Sequence, residues 1–373
     1  MLVRKSFQFR LRPTKCQAKA LQDQLDECRW LYNELLEQRK LSQDELGRPL
    51  SKYQQLMFLP LLKLERSSLE RVHSQVLQNV VDRLDKGFQA FFRRCKAGEK
   101  PGFPRFRGAH RYNSFCYPQS GFSLIGQELK LSKLGAIRLK MHRPIEGEIK
   151  TCTLRRNTSG DWDVSLSCEV KVESRAPKQE AIGIDMGLEH FATLSNGQEI
   201  ANPRFFKNGE KALAKAQRKL AKLEKGTQER RKQGKVVAKT HERIRNQRKD
   251  FCHKESKKIV DQYQFICVED LNIQKMVEGS HFAKSITDAS WNQFRQFLTY
   301  KAAEAGRKLG LVNPAYTTQT CSQCNHREAK TLSERMHCCS QCGYKVTRDL
   351  NAAQNILAFG IDGLGAIPRS LRL

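Results

Sequence analysis

The chain has 373 residues, room for two or three domains, and 39% of them are apolar, enough for real cores. Its 67 Lys and Arg against 39 Asp and Glu leave a formal charge of +28, which implies a polyanionic partner, most simply nucleic acid, with an anionic membrane surface as the rival. No apolar run approaches the ~18 residues of a spanning helix and the first residues lack a signal peptide's apolar core, so neither a spanning helix nor secretion is expected and a cytoplasmic protein is.

Residues 3–11 alternate apolar and polar (Val3, Phe7, Phe9, Leu11) and stop at Pro13, which predicts a strand. From 15 to 40 the period becomes helical, with Leu21, Leu25, Cys28, Leu31, Tyr32 and Leu35 on one stripe. A second helical block runs from Val72 to Phe92, after a turn-rich piece around Gly47-Arg48-Pro49. Proline and glycine between Gly98 and Arg107 break the helix. From there to residue 173 the period is two, as in Trp162, Val164, Leu166, Cys168, Val170 and Val172. That pattern predicts a half-buried antiparallel sheet or small barrel, which the first strand can join. Residues 174–180, with Pro177, read as a linker.

The second half opens on an apolar strand, Ala181-Ile182-Gly183-Ile184-Asp185, followed by two more short strands around a hairpin turn at Ser195-Asn196-Gly197. From Lys207 to Lys258 a basic helical region carries nineteen Lys and Arg against six acids. Gln264 to Val268 is a buried strand leading into Glu269, Trp291 to Leu309 a helix and Leu311 to Tyr316 a further strand. Tyr344 to Val346 is a short strand, Asp349 opens a helix, and 361–373 is expected to be a disordered tail.

Cys321-Ser322-Gln323-Cys324 and Cys339-Ser340-Gln341-Cys342, fourteen residues apart, have the spacing of a four-thiolate zinc site. Cys338, His326 and His337 compete for the third position; Cys339 keeps the two-residue gap to Cys342. Four thiolates leave no open coordination position, so this zinc is a folding staple. The other nine cysteines fit a reducing compartment.

Three strands, helix, strand, helix is the layout of an RNase H-like fold. Asp185 at the end of its first strand, Glu269 at the end of its fourth and Asp349 at the start of the last helix stand where that fold gathers carboxylates. Three acids from separate elements can hold two Mg²⁺ ions, with Asp185 bridging, for phosphodiester hydrolysis. Each acid alone has a plainer reading as a turn or helix-cap residue, and GxDxG also opens ATP-binding relatives of the fold.

The stretches Ile182-Gly183-Ile184-Asp185-Met186-Gly187-Leu188, Val268-Glu269-Asp270-Leu271-Asn272, Thr318-Gln319-Thr320-Cys321-Ser322-Gln323-Cys324 and Arg348-Asp349-Leu350-Asn351-Ala352-Ala353-Gln354-Asn355-Ile356-Leu357 resemble the TnpB nucleases of small bacterial insertion sequences, relatives of type V CRISPR effectors. Phe9-Arg10-Leu11-Arg12-Pro13-Thr14, Gln17, Tyr32-Asn33 and Gly102-Phe103-Pro104-Arg105-Phe106 extend the resemblance over nearly the whole chain. His337-Cys338 departs from the aromatic-apolar pair expected there.

The resemblance implies an α/β and β multi-domain protein. A β-barrel wedge domain (1–14 and 105–175) would be split by a helical recognition domain (15–104). An RNase H-like (RuvC) nuclease domain (176–318 and 343–360) would carry a zinc-ribbon insertion (319–342) that binds target nucleic acid. It further implies a prokaryotic cytoplasmic enzyme, monomeric on one guide RNA transcribed from the transposon end. Such an enzyme cuts double-stranded DNA beside a short target-adjacent motif, with two catalytic Mg²⁺ and one structural Zn²⁺. A lid would fall near Met276 to Ser290. Tyr53, Ser74, Gln75 and Gln78 resemble the motif-reading region, though a helix with Gln on one face also reads as a plain solvated helix; Phe103-Pro104-Arg105-Phe106-Arg107 would stack on or grip a nucleic-acid strand, or form a plain structural turn. Relatives without the acids are guided DNA-binding repressors, and a DNA-joining transposase shares the fold.

Overall fold

The alternation that opens the chain forms strand β1 (Leu2–Arg12) in the computed structural model, which describes residues 2–109, 111–172, 176–278, 280–331 and 334–363. The chain divides into two compact units, 1–171 and 172–373. In the first, β1 pairs antiparallel with β5 (Gly135–Lys140) and β7 (Trp162–Lys171). With β2 (Ser114–Tyr117), β3 (Phe122–Ile125), β4 (Glu128–Leu131) and β6 (Glu148–Arg156) they make one seven-stranded sheet ordered β2-β6-β7-β1-β5-β4-β3. The expected barrel is therefore open: no ladder joins edge strands β2 and β3 among the described residues. The sheet curls instead, and Tyr117 of β2 donates its hydroxyl proton to the Ser132 carbonyl at 3.0 Å.

Three helices lie in the chain between β1 and β2: α1 (Lys15–Leu46), α2 (Lys52–Glu65) and α3 (Ser74–Lys96). Thr14 and Gln17 form a reciprocal capping box at the start of α1, and Ser51 and Gln54 repeat it at α2. Helix α2 stands where the Gly-Pro piece suggested only turns. Its apolar residues are mostly exposed, so the helical stripe that would have marked it is missing. The single Pro60 inside it further masks the pattern.

The second unit is built on a five-stranded sheet ordered β10-β9-β8-β11-β12. Its strands are β8 (Gln179–Asp185), β9 (His190–Leu194), β10 (Glu199–Ala201), β11 (Tyr263–Glu269) and β12 (Lys308–Val312). β8, β11 and β12 run parallel, while β9 and β10 run antiparallel in a meander. The basic stretch is not one helix but two, α4 (Phe205–Ala221) and α5 (Gln228–Gln262), separated by Gly226 at φ 91°.

Two short helices, α6 (Ile273–Val277) and α7 (Ala283–Ala289), occupy the expected lid; Gly279 lies outside the described residues. Helix α8 (Trp291–Ala305) ends four residues earlier than expected, at Gly306 in the left-handed region. The strand after it is 308–312 rather than 311–316, because its partner β11 pairs Phe265 with Lys308 through Glu269 with Val312. A ribbon of β13 (Met336–Cys338) and β14 (Lys345–Thr347) precedes α9 (Arg348–Gly363). Helix α9 carries 361–363 of the expected tail; 364–373 lie outside the described residues, as do 174 and 175 of the linker.

The period of two sorts this sheet's faces. Ile182, Ile184, Ile266 and Val268 join the core formed with α5 and α8, through Cys252, Ile259, Val260, Phe294 and Leu298. The intervening residues face the other way: Cys267 packs with Val312 and Ile356 beneath α9.

Candidate active site and metal centre

Asp185 and Glu269 share the α9 face by the same alternation. Asp185 follows Gly183 by two and Glu269 follows Cys267 by two, and both Gly183 and Cys267 meet α9-side residues. Parallel pairing sets Cys267 beside Gly183 and Val268 beside Ile184, so the two acids end neighbouring strands at the same level. Gly183 admits the helix: a Cβ there would collide with the Ala353 carbonyl and stand 2.7 Å from the Leu357 nitrogen. That close approach brings Asp349, in the first turn of α9, over the strand ends. A Cβ on Gly187 would lie 4.0 Å from Asp349 Oδ2.

Asp185 and Glu269 are both buried, 8% and 6% exposed. Burial pushes the Asp185 carboxyl well above its ordinary range, and the charges of Glu269 and then Asp349 push it further; Arg348 opposes them. Burial likewise raises Glu269, against a hydrogen bond from Thr317. The Thr317 hydroxyl donates to Glu269 Oε1 at 2.7 Å. Asn355 of α9 donates to the Thr317 and Thr320 carbonyls at 2.8 and 2.6 Å. Asn351 donates to the Thr320 carbonyl at 2.7 Å and accepts the Ser322 N–H at 2.9 Å. The Asn-Ala-Ala-Gln-Asn run of α9 thus straps the loop that carries the first cysteine pair against the helix that carries Asp349. Thr317 escaped the sequence reading, and Asn351 and Asn355 stood in the quoted stretch without a role; a polar Asn repeat at i and i+4 inside an apolar helix was the available signal.

Three hard oxygen donors, two of them buried, with one arginine nearby, suit a divalent cation such as Mg²⁺, which would offset the burial and the neighbouring negative charges that raise Asp185. The four sulfurs of Cys321, Cys324, Cys339 and Cys342 lie within 4.8 Å of one another. Cys321 to Cys342 is 3.7 Å and Cys324 to Cys339 is 3.5 Å. A tetrahedron with ~2.3 Å zinc–sulfur bonds has edges of about 3.8 Å, so the quartet fits zinc. Cys338 is exposed and stands outside it, which resolves the ambiguity in favour of Cys339.

The other predicted contacts are dispersed through the first unit. Tyr53 projects from α2 at 76% exposure. Ser74 Oγ takes a proton from Lys63 at 3.2 Å, and Gln75 Oε1 accepts the Ser120 N–H at 2.9 Å, so both are engaged structurally. Gln78 and Arg105 are exposed. Arg107 is held by its backbone to Asn33, and its guanidinium sits 5.4 Å from the Tyr32 ring centre. In the second unit, Asp288 of α7 accepts the Phe206 N–H at 2.8 Å and pairs with Arg248 at 3.0 Å. It thereby caps α4, whose own N-cap residue Arg204 provides no side-chain cap. No helix among the described residues is long and apolar enough to cross a membrane.

Family profiles match three stretches: a "Helix-turn-helix domain" at 1–43, a "Probable transposase" at 165–279 and a "Cas12f1-like, TNB domain" at 291–356. A Streptomyces pristinaespiralis protein, provisionally named an RNA-guided DNA endonuclease, is 33% identical over 96% of this chain and 90% of its own. An Escherichia coli protein, provisionally named the RNA-guided DNA endonuclease InsQ, is 30% identical over 95% and 92%. The solved structure of a Cas12f1–sgRNA–target DNA complex shares the fold at a TM-score of 0.61 and 15% identity, covering 92% of this chain and 83% of that one.

Proposed function

The chain belongs to the TnpB family of RNA-guided nucleases related to type V CRISPR effectors, and on that footing we propose that it is an RNA-guided endonuclease that cuts double-stranded DNA beside a short target-adjacent motif. The observation that carries the chemistry is the convergence of Asp185, Glu269 and Asp349 on one face of a sheet whose order is that of the RNase H-like fold. On this reading residues 176–318 and 343–360 are the RuvC-like domain and 319–342 the zinc-bearing module. The curled sheet (1–14 and 105–175) and α1–α3 (15–104) are the wedge and recognition domains.

Asp185, Glu269 and Asp349 would hold two Mg²⁺ ions, which stabilise charge on the attacking and leaving oxygens of the phosphodiester. The chain itself supplies their placement. Asp185 and Glu269 are fixed by the β8–β11 register, Asp349 by the packing of α9 on Gly183, and Glu269 by the Thr317 proton. Guide RNA from the transposon end specifies the sequence by pairing, so the protein grips backbones, which suits a charge of +28. One protein per RNA and one site cutting both strands in turn complete the reading.

Presence of all three acids favours cleavage over guided binding alone. The test is plasmid cleavage with co-purified RNA and Mg²⁺. Guide-matched cutting that falls by about a thousandfold or more in Asp185→Ala, with binding retained, is the expected result. Guided binding without cutting by the native chain would instead identify a repressor, and strand joining without RNA a transposase.

A further inference from the structure

The segment between α3 and β2 is tied to α1 and α3 at three points, and beside these ties aromatic rings of the segment and of α3 face solvent. Asn33 of α1 clamps the backbone of Arg107 from both sides: its Oδ1 accepts the Arg107 N–H at 2.7 Å and its Nδ2 donates to the Arg107 carbonyl at 3.1 Å. Pro104 packs on Gly87 of α3, where a Cβ would stand 3.7 Å from its ring. Phe103 is anchored edge-on against Phe88 and Phe91, with ring centres 5.4 and 5.3 Å apart. Yet Phe103 remains 45% exposed, Phe106 47% and Phe92 50%. Lys40 of α1 lies 4.5 Å from the Phe106 ring centre and 5.7 Å from that of Phe103.

Three half-exposed phenylalanines on one basic stretch leave apolar rings in water unless something covers them. Charge says what. Residues 92–107 contain six Lys and Arg (Arg93, Arg94, Lys96, Lys100, Arg105, Arg107) and one acid, Glu99, which is 4.0 Å from Arg94. Aromatic faces set among cations suit a strand that offers both phosphates and unstacked bases. A DNA duplex keeps its bases paired and stacked until guide pairing displaces a strand, whereas RNA presents them in loops and single-stranded ends before any target is met, where aromatic side chains take them.

We infer that Phe92, Phe103 and Phe106, with Lys40 and the basic strap 93–107, form a stacking platform for unpaired bases of RNA. The inference rests on the RNA-guided reading and narrows it: this surface takes bases, while the long basic helices of the second unit offer only charge to backbones.

The test uses the full chain freed of nucleic acid and a fluorescent single-stranded RNA, alongside the same sequence as a duplex, titrated at several salt concentrations. Phe92→Ala with Phe106→Ala should weaken single-strand binding by about 5- to 100-fold with an unchanged salt slope, and duplex binding hardly at all. Arg105→Gln should instead lower the salt slope by about one ion. Phe106→Trp, which keeps the ring, should retain affinity and show fluorescence quenching on RNA addition, an independent readout should the alanine variants misfold. Unchanged single-strand affinity in the double variant, equal losses on duplex and single strand, or an unquenched Trp would each overturn the platform. So would normal RNA binding accompanied by loss of an acidic protein partner. If the native chain binds RNA but these variants do not matter, the guided reading stands and only this inference falls; if the native chain binds no RNA, both fall.

Discussion

The hydroxyl of Thr317 lies 2.7 Å from Oε1 of Glu269, and the carbonyl of the same Thr317 accepts a hydrogen bond from Asn355 on the helix whose first turn carries Asp349. One residue thus links two of the three acids. It also begins the loop that leads to the cysteine quartet, so the acid cluster and the zinc-type centre share a support.

Thr317 is accordingly a positioning residue. Thr317→Val, which keeps the shape and removes the donor, should raise the Mg²⁺ concentration needed for half-maximal cleavage by about 10- to 100-fold. Thr317→Ser should stay near the native value. A Val variant with the native Mg²⁺ dependence would show that the hydrogen bond does not place Glu269.

The raised carboxyls give the metal-free protein a distinctive pH response. Asp185 and Glu269 have folded-state pKa values above their unfolded ones, ordinarily near 4. The folded state therefore holds protons that the unfolded state has released. This contribution is favourable below about pH 4 and is lost as pH rises through the raised folded values. In chelator, melting temperature should fall from acid toward neutral pH more steeply for the native chain than for Asp185→Asn. Mg²⁺ should restore stability at neutral pH in the native chain. Parallel pH curves for the two proteins would refute a raised Asp185 carboxyl.

The cysteine quartet makes a stoichiometric prediction. The native chain should carry one zinc by elemental analysis, Cys339→Ser should lose it, and Cys338→Ser should keep it, since Cys338 points outside the cluster. Loss of zinc in both variants would mean that the two neighbours exchange roles.

Gly183 is a packing requirement rather than a turn. Gly183→Ala places a methyl group against the Ala353 carbonyl and should cost about 1–3 kcal/mol, measured by denaturant unfolding. Because the strain lifts α9, cleavage should drop although every acid is present. Native activity in a destabilised variant would separate the position of α9 from catalysis.

Much of this was written in short-range patterns. Val3 to Leu11 and Trp162 to Val172 announced strands, Leu21 to Leu35 a helix, and the CxxC spacing a metal quartet, since each depends only on neighbours along the chain. Helix α2 was not legible, because its exposed apolar residues Met57, Leu61 and Leu64 do not report a buried face. The strand after α8 was misplaced by three residues because its limits come from pairing with β11, not from its own composition.

By itself the sequence singled out Asp185, Glu269 and Asp349 as candidate metal-binding acids, a thiolate set with the third position open among Cys339, Cys338, His326 and His337, and a basic surface for polyanions. Only the tertiary structure decided that the register of β8 and β11 levels two carboxylates, that Gly183 lets α9 deliver the third, and that Asn33 pins the Phe103–Phe106 strap beside Lys40. The reason is physical: residue type and spacing fix local chemistry, whereas convergence of residues far apart in the chain is set by strand register and close packing, which no local pattern encodes.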